Sequence, residues 1–262
     1  MAAFFGVNGA LFEVKCPASA DRMSERGVSF TRTLGGKRKA FVGRGSRRSW
    51  SLDVGAGTPQ AVSTVEALSR EPGPLVFISP EAAVGNLLSP QASGFDDVPA
   101  NATDAGLVQL PDGTVARSVA REGSSGSVRV GNAHGSAEWV PVRPGQAVTV
   151  GAWGLGGARF QGFWRDATGG SLGSYSSPAD SHAGWQWREH TLTPPAGAAF
   201  IELHLIGGSQ YALPSVSWGT TAARELGTGC AKAVLHDGAF SPIAAHRRLN
   251  RSRITYSVTE VG

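Results

Sequence analysis

Four runs decide the fold: VPVRPGQAVTVGAW (140–153), RFQGFWRDATGGSL (159–172), GWQWREHTLTPPAGAAFIELHLI (184–206) and YALPSVSW (211–218). Each carries apolar residues at alternate positions and is bounded by Gly, Pro, Ser or Asp, the pattern of antiparallel strands joined by tight turns. Pro144-Gly145, Asp166–Gly170 and Pro194–Gly197 supply turns, because Gly admits positive φ and Pro holds φ near about −65°. Five of the seven tryptophans fall between Val140 and Trp218. The reading is an all-β sandwich whose aromatic surface either packs a core or meets a ligand.

Working outward, 262 residues suffice for two modest domains, each with its own core. With 36 Gly, 15 Pro and 17% charged residues, the composition suits many short strands and turns. No run reaches the roughly 18–20 apolar residues of a membrane span. The start, MAAFFGVNGALFEV, has no basic region ahead of a long apolar one and does not read as a secretory signal. Two cysteines, Cys16 and Cys230, are too few for a disulfide scaffold and fit a reducing compartment. Charge is uneven. Residues 85–221 hold 7 Lys+Arg against 10 Asp+Glu, which leaves 17 against 10 for the rest of the chain. That asymmetry points to two domains with different partners.

The order of the four runs, with T-P-P-A-G-A (193–198), I-E-L-H-L (201–205) and the opening Asn86-Leu87-Leu88, resembles the jelly-roll carbohydrate-binding modules of the galactose-binding-like superfamily over roughly residues 85–221. The last strand, Leu213–Trp218, lacks the aspartate common there, which argues against a calcium site of the family type.

Outside this stretch, residues 4–14 read as a hairpin around Asn8-Gly9. Residues 21–27 are a polar break, 27–34 a strand, 35–39 a basic turn, and 47–54 a strand with Trp50, Leu52 and Val54 on one face. Thr58 as N-cap and Pro59 at the first helical position start a helix that places Val62, Val65 and Leu68 on one face, and Pro72-Gly73-Pro74 stops it. Leu75–Ile78 is a short apolar strand, and 253–261 a closing one.

Arg48-x-Trp50-x-Leu52, Val65–Leu68, Gly73–Phe77, Ser79–Leu88 and the closing ITYSVTEVG (254–262) are together similar to the distal tail and minor tail proteins of long-tailed bacteriophages, especially those of actinobacteria. The resemblance implies a split tail-tip domain, residues 1–84 and 222–262, carrying the jelly roll of residues 85–221. It further implies a homo-oligomeric ring, a hexamer in that family, between the tail tube protein and other tail-tip proteins. The location would be the virion tail tip, assembled in the host cytoplasm, with DNA met only in passage, no membrane, and host cell-wall glycan touched by the jelly roll. The competing reading is a carbohydrate-binding module of a polysaccharide-binding or -degrading system.

A sugar site needs rings that stack on pyranose faces and polar groups that bond hydroxyls. Trp164, Arg165, Tyr175, Gln186, Trp187 and Tyr211 are the candidates, while Trp153, Trp185 and Trp218 read as core. Lys37, Arg38, Lys39, Arg44, Arg47 and Arg48 form a basic patch that reads either as a solvated loop or as a subunit- or lumen-facing surface, joined by Arg247, Arg248, Arg251 and Arg253. His134, His182, His190, His204, His236 and His246 show no H-x-x-x-H spacing, and there is no nucleophile elbow or P-loop. Asp96 and Asp97 read as a solvated turn. Glu189 with Glu202 is the one carboxylate pair considered for glycoside hydrolysis. The expectation is a non-enzyme with no cofactor and no metal.

Overall fold

The computed structural model describes residues 2–7, 9–15, 19–32, 38–123, 126–131, 137–246 and 249–261. In chain order the elements are β1 (Ala2–Val7), β2 (Ala10–Lys15), β3 (Ser19–Arg32), β4 (Arg38–Gly57), α1 (Pro59–Ser69), β5 (Leu75–Ile78), α2 (Pro90–Ser93), β6 (Ala102–Gln109), β7 (Val115–Arg121), β8 (Val128–Arg129), β9 (Val140–Pro141), β10 (Val148–Leu155), β11 (Arg159–Arg165), β12 (Ser171–Ser176), β13 (Trp185–Leu192), β14 (Phe200–Ile201), β15 (His204–Ile206), β16 (Gln210–Trp218), β17 (Cys230–His246) and β18 (Leu249–Glu260). The chain is all-β, with α1 and the four-residue α2 as its helices among the described residues. It divides into two units, Met1–Glu13 with Val76–Ala231, and Val14–Leu75 with Lys232–Gly262. Residues 1–13, 76–84 and 222–231 therefore go with the stretch 85–221.

In the smaller unit the strand order is β17-β18-β4-β3, all antiparallel. The alternation Trp50-x-Leu52-x-Val54 meets the alternation Ile254-x-Tyr256-x-Val258 in register: Trp50 opposite Val258, Leu52 opposite Tyr256, Val54 opposite Ile254. All six are at most 8% exposed. Burying each such side chain stabilises by about 1.5–3 kcal/mol. Helix α1 packs on β18 and β4. Thr58 caps it, its Oγ1 accepting from the Ala61 amide at 3.2 Å, and Pro59 takes the first turn, where no amide hydrogen is needed. Val65 is the buried residue of its inner face.

Two ion pairs join strands some 200 residues apart in sequence. Arg48 donates Nε to Glu260 Oε2 at 2.9 Å and Nη2 to Oε1 at 2.7 Å, with side chains 4% and 17% exposed. The guanidinium also lies 5.2 Å from the Trp50 ring centre. Arg253 pairs with Asp53, which is held below the ordinary carboxyl value of 3.8 mainly by that hydrogen bond. This second pair lies at the surface and contributes little. Its effect is present above the unfolded pKa and lost as pH falls through the lower, folded value.

Several expectations need correction here. Residues 21–27 are no break, because β3 runs continuously from Ser19 to Arg32 and pairs with β4 throughout, the register shifting between Arg26 and Val28. Gly27 sits at an irregularity of the ladder rather than at a strand start. Arg38 and Lys39 lie in β4 rather than in a turn, and Lys37 lies outside the described residues.

In the larger unit two antiparallel sheets face each other. One has the order β13-β10-β16-β7-β6, the other β8-β15-β11-β14-β9, with β12 also on β11. β14 and β15 pair the same strand in one continuous register and act as one interrupted strand, and β8 and β9 pair its other side, β8 on β15 and β9 on β14, with an offset between their registers. Counted so, the chain crosses between sheets in jelly-roll order, β7-β16-β10-β13 facing (β8/β9)-(β14/β15)-β11-β12. Val148, Val150, Ala152, Val119, Tyr211 and Val216 from one sheet and Phe160, Trp164, Val128, Ile201, Leu203 and Leu205 from the other fill the core.

The two ends of this sandwich are fastened by Asn86, which is fully buried. Its Nδ2 donates to the carbonyls of Pro214 and Glu225, both at 3.0 Å, and its Oδ1 accepts from the amides of Leu88 and Val216, both at 3.1 Å. The outgoing segment then runs beside the incoming one, with Thr228 donating to Asn86 O and Gly229 to Leu88 O. A Cβ on Gly229 would collide with the Leu87 carbonyl, so only glycine permits this approach. Ser89 caps α2, and its amide and hydroxyl donate to the Glu138 carboxylate at 2.7 and 2.5 Å.

Asn86→Ala leaves four backbone groups, three of them buried, without this partner and should cost about 3 kcal/mol, read as a lowered urea midpoint by tryptophan fluorescence. Arg48→Ala strands the Glu260 carboxylate and should cost about 3 kcal/mol in the same measurement, whereas Arg48→Met combined with Glu260→Leu should recover most of that loss.

Candidate functional site

The six residues expected to form a sugar platform do not come together. Trp164 is core, 6% exposed, its ring 5.4 Å from that of Tyr175. Tyr175 is also buried, and its hydroxyl donates to Glu202 O at 2.7 Å; burial pushes the phenol well above its ordinary value. Tyr211 is fully buried, its hydroxyl accepting from the Gly208 amide at 2.8 Å and donating to the Gly208 carbonyl at 3.2 Å, and burial raises it to about 12. Gln186 is exposed on β13. Trp187 is half-buried on the outer face of the five-stranded sheet, 6.0 Å and nearly edge-on to Trp153, with the Arg224 guanidinium 5.3 Å from its ring centre. Its Nε1 donates to Glu189 at 3.3 Å. Together with Leu110, Ala116, Ala212 and Leu213, Trp153, Trp185 and Trp187 make a small satellite core.

The physical reason is the strand period. Trp164 and Arg165 are sequence neighbours and cannot face the same side of β11. With Phe160 and Trp164 inward, Phe163 and Arg165 face outward.

That outward face holds a constellation the sequence reading missed. Across one row of the sheet stand Trp139, Glu202, Phe163 and Ser174. Val140 pairs Ile201, which sets Trp139 beside Glu202; the Glu202 amide donates to Phe163 O; and Phe163 pairs Ser174. The next row holds Arg129, His204 and Gln161. Glu202 is 7% exposed, and its Oε1 accepts from Trp139 Nε1 and from Arg165 Nε, both at 2.8 Å. Two donors on one oxygen, one of them the charged Arg165, let a carboxylate sit this deep. Its Oε2 lies 3.7 Å from His204 Nε2, which is buried and makes no hydrogen bond.

Arg165 completes the group. Its guanidinium lies 5.4 Å from the Phe163 ring centre and 5.9 Å from that of Trp139, and Nη1 reaches Gly169 O at 3.4 Å. Phe163 meets the His204 imidazole edge-on at 5.9 Å. Burial holds His204 below the ordinary imidazole value against the opposing pull of Glu202, so the ring is neutral at neutral pH. Trp139 is 37% exposed: its N–H is turned in to the carboxylate, and its ring rests against Gly169, where a Cβ would come within 2.5 Å. The I-E-L-H-L run carried a signal for this face, since Glu202 and His204 alternate with core residues Ile201, Leu203 and Leu205. For Trp139 the isolated two-residue pairing of β9 offered none.

Glu189 and Glu202 are not a pair: they lie on outer faces of different sheets. Of the basic patch, Arg48 is buried in its ion pair with Glu260 and is no part of a solvated or lumen-facing surface. Arg38, Lys39, Arg44 and Arg47 lie in β4, their side chains outside the described set. Arg253 is engaged by Asp53, and Arg247 and Arg248 are outside the described residues.

No protein-family model matches the chain, and no curated protein matches it. Among solved structures, the enzymatically active domain of tailspike protein 4 of bacteriophage CBA120 is similar over 51% of this chain and 21% of that one, at 13% identity and a TM-score of 0.35. A carbohydrate-binding module of Cellvibrio mixtus lichenase 5A, in complex with cellotriose, is similar over 45% of this chain and 90% of the module, at 14% identity and a TM-score of 0.28. The match thus spans about a fifth of the tailspike domain's length. Both are weak structural neighbours of a β fold, one from a phage tailspike protein and one from a lichenase.

Proposed function

We propose that the chain is a structural protein of a long-tailed phage virion, in which the smaller unit assembles with copies of itself at the tail tip and the jelly roll faces outward. The observation that carries this reading is the split unit itself. Closing strand β18 pairs opening strand β4, and β3, 14 residues long, stands last in the strand order. A long edge strand offers unpaired backbone to a neighbour, and Met23 on it is a 61% exposed apolar residue. A head-to-tail contact of that kind closes into a ring when the rotation allows. The partners in this reading are further copies, the tail tube protein and other tail-tip proteins. The role is structural and not catalytic.

A second reading, a carbohydrate-binding module, is favoured by the outer-face cluster around Glu202. Sedimentation and electron imaging of the purified chain separate the two. Closed rings that weaken on Met23→Glu support the structural role, and a strict monomer at every concentration overturns it.

A further inference from the structure

The outer face of the (β8/β9)-(β14/β15)-β11-β12 sheet has three properties that converge on one chemistry. It presents aromatic rings. Trp139 and Phe163 lie two strand spacings apart, on either side of Glu202, roughly 10 Å by sheet geometry. Glu202 Oε2 and Arg165 Nη2 make no hydrogen bond within the fold, and His204 Nε2, also without one, is closed off from solvent. Two of these belong to side chains nine-tenths or more buried, at 7% and 10% exposure. A carboxylate oxygen and a guanidinium nitrogen left without partners on such a face are open to a ligand's hydroxyls. The third property is charge. The Arg165 guanidinium is neutralised by Glu202 at 2.8 Å and the imidazole beside them is neutral, so these three side chains together carry no net charge, with Arg129 of the next row beside His204.

We propose that this face is a binding site for a neutral oligosaccharide, with Trp139 and Phe163 stacking on sugar rings two positions apart in one chain and Glu202 and Arg165 bonding the hydroxyls between them. The proposal rests on the outward placement of the jelly roll and adds to it the ligand class and the residues. Rings separated by two strands match a chain of three pyranoses better than a single sugar. The donor and acceptor of the Arg165–Glu202 pair lie between the rings, where they meet a vicinal pair of hydroxyls, one donating and one accepting. The strand with Trp185, Gln186 and Trp187 plays no part: two of those rings are packed in the satellite core.

The test is titration of the full chain with a panel of neutral hexasaccharides of glucose, galactose, mannose and arabinose, read by calorimetry and tryptophan fluorescence. One or more should bind. Trp139→Ala and Phe163→Ala should each weaken binding at least about tenfold, and Glu202→Gln, which keeps shape while removing the charge that orients Arg165, by a similar factor. Gln186→Ala on the other sheet should leave it unchanged. Binding by no member of the panel, binding unaffected by Trp139→Ala and Glu202→Gln, or binding only to acidic polysaccharide with strong salt dependence would each overturn the site. Sedimentation on the same samples keeps the two readings apart: an oligomer that binds no sugar removes this site alone, and a monomer that binds sugar removes the tail-tip assembly alone.

Discussion

A single buried carboxamide sets the terms for the larger unit. Asn86 spends both hydrogens and both lone pairs on backbone groups of three segments, the incoming strand, the final strand β16, and the outgoing stretch near Glu225. No other side chain of its size offers two donors and two acceptors in one plane. Because those partners come from both ends of the sandwich, one side chain holds its incoming and outgoing segments side by side. The glycine at 229 is the complementary half of this device, since the two crossing backbones come too close for any side chain.

What could be read from residues alone follows from what repeats locally. The alternation at Trp50-Leu52-Val54 and the Thr58-Pro59 helix start each have a near-neighbour signature, and each occurs as expected. β3 lacked one. Its sequence from Asp21 to Gly27 is polar, and it is a strand because β4 supplies the backbone partners. The burial of Arg48 was likewise hidden, since its carboxylate partner lies 212 positions away.

The candidate site divides along the same line. Tryptophan content correctly drew attention to the sandwich, but counting rings does not tell which way they face. Trp164 and Tyr175 became core because a strand must send alternate residues inward, and the same rule that buries them exposes Phe163 and Arg165. The pairing of Trp139 with Glu202 comes from segments 63 residues apart and is a property of sheet order, which no local pattern carries.

The turn from Asp166 to Gly170 has a role beyond closing a hairpin. Asp166 Oδ1 accepts from the amides of Thr168 and Gly170 and from the Thr168 hydroxyl, so the loop is rigid, and Gly169, at φ +88°, is the surface on which the Trp139 indole rests. The height and tilt of that indole are therefore governed by a five-residue loop that touches no strand partner of the ring. Lengthening or reshaping this loop is a route by which selection could retune what the face admits while the sheet beneath it stays the same.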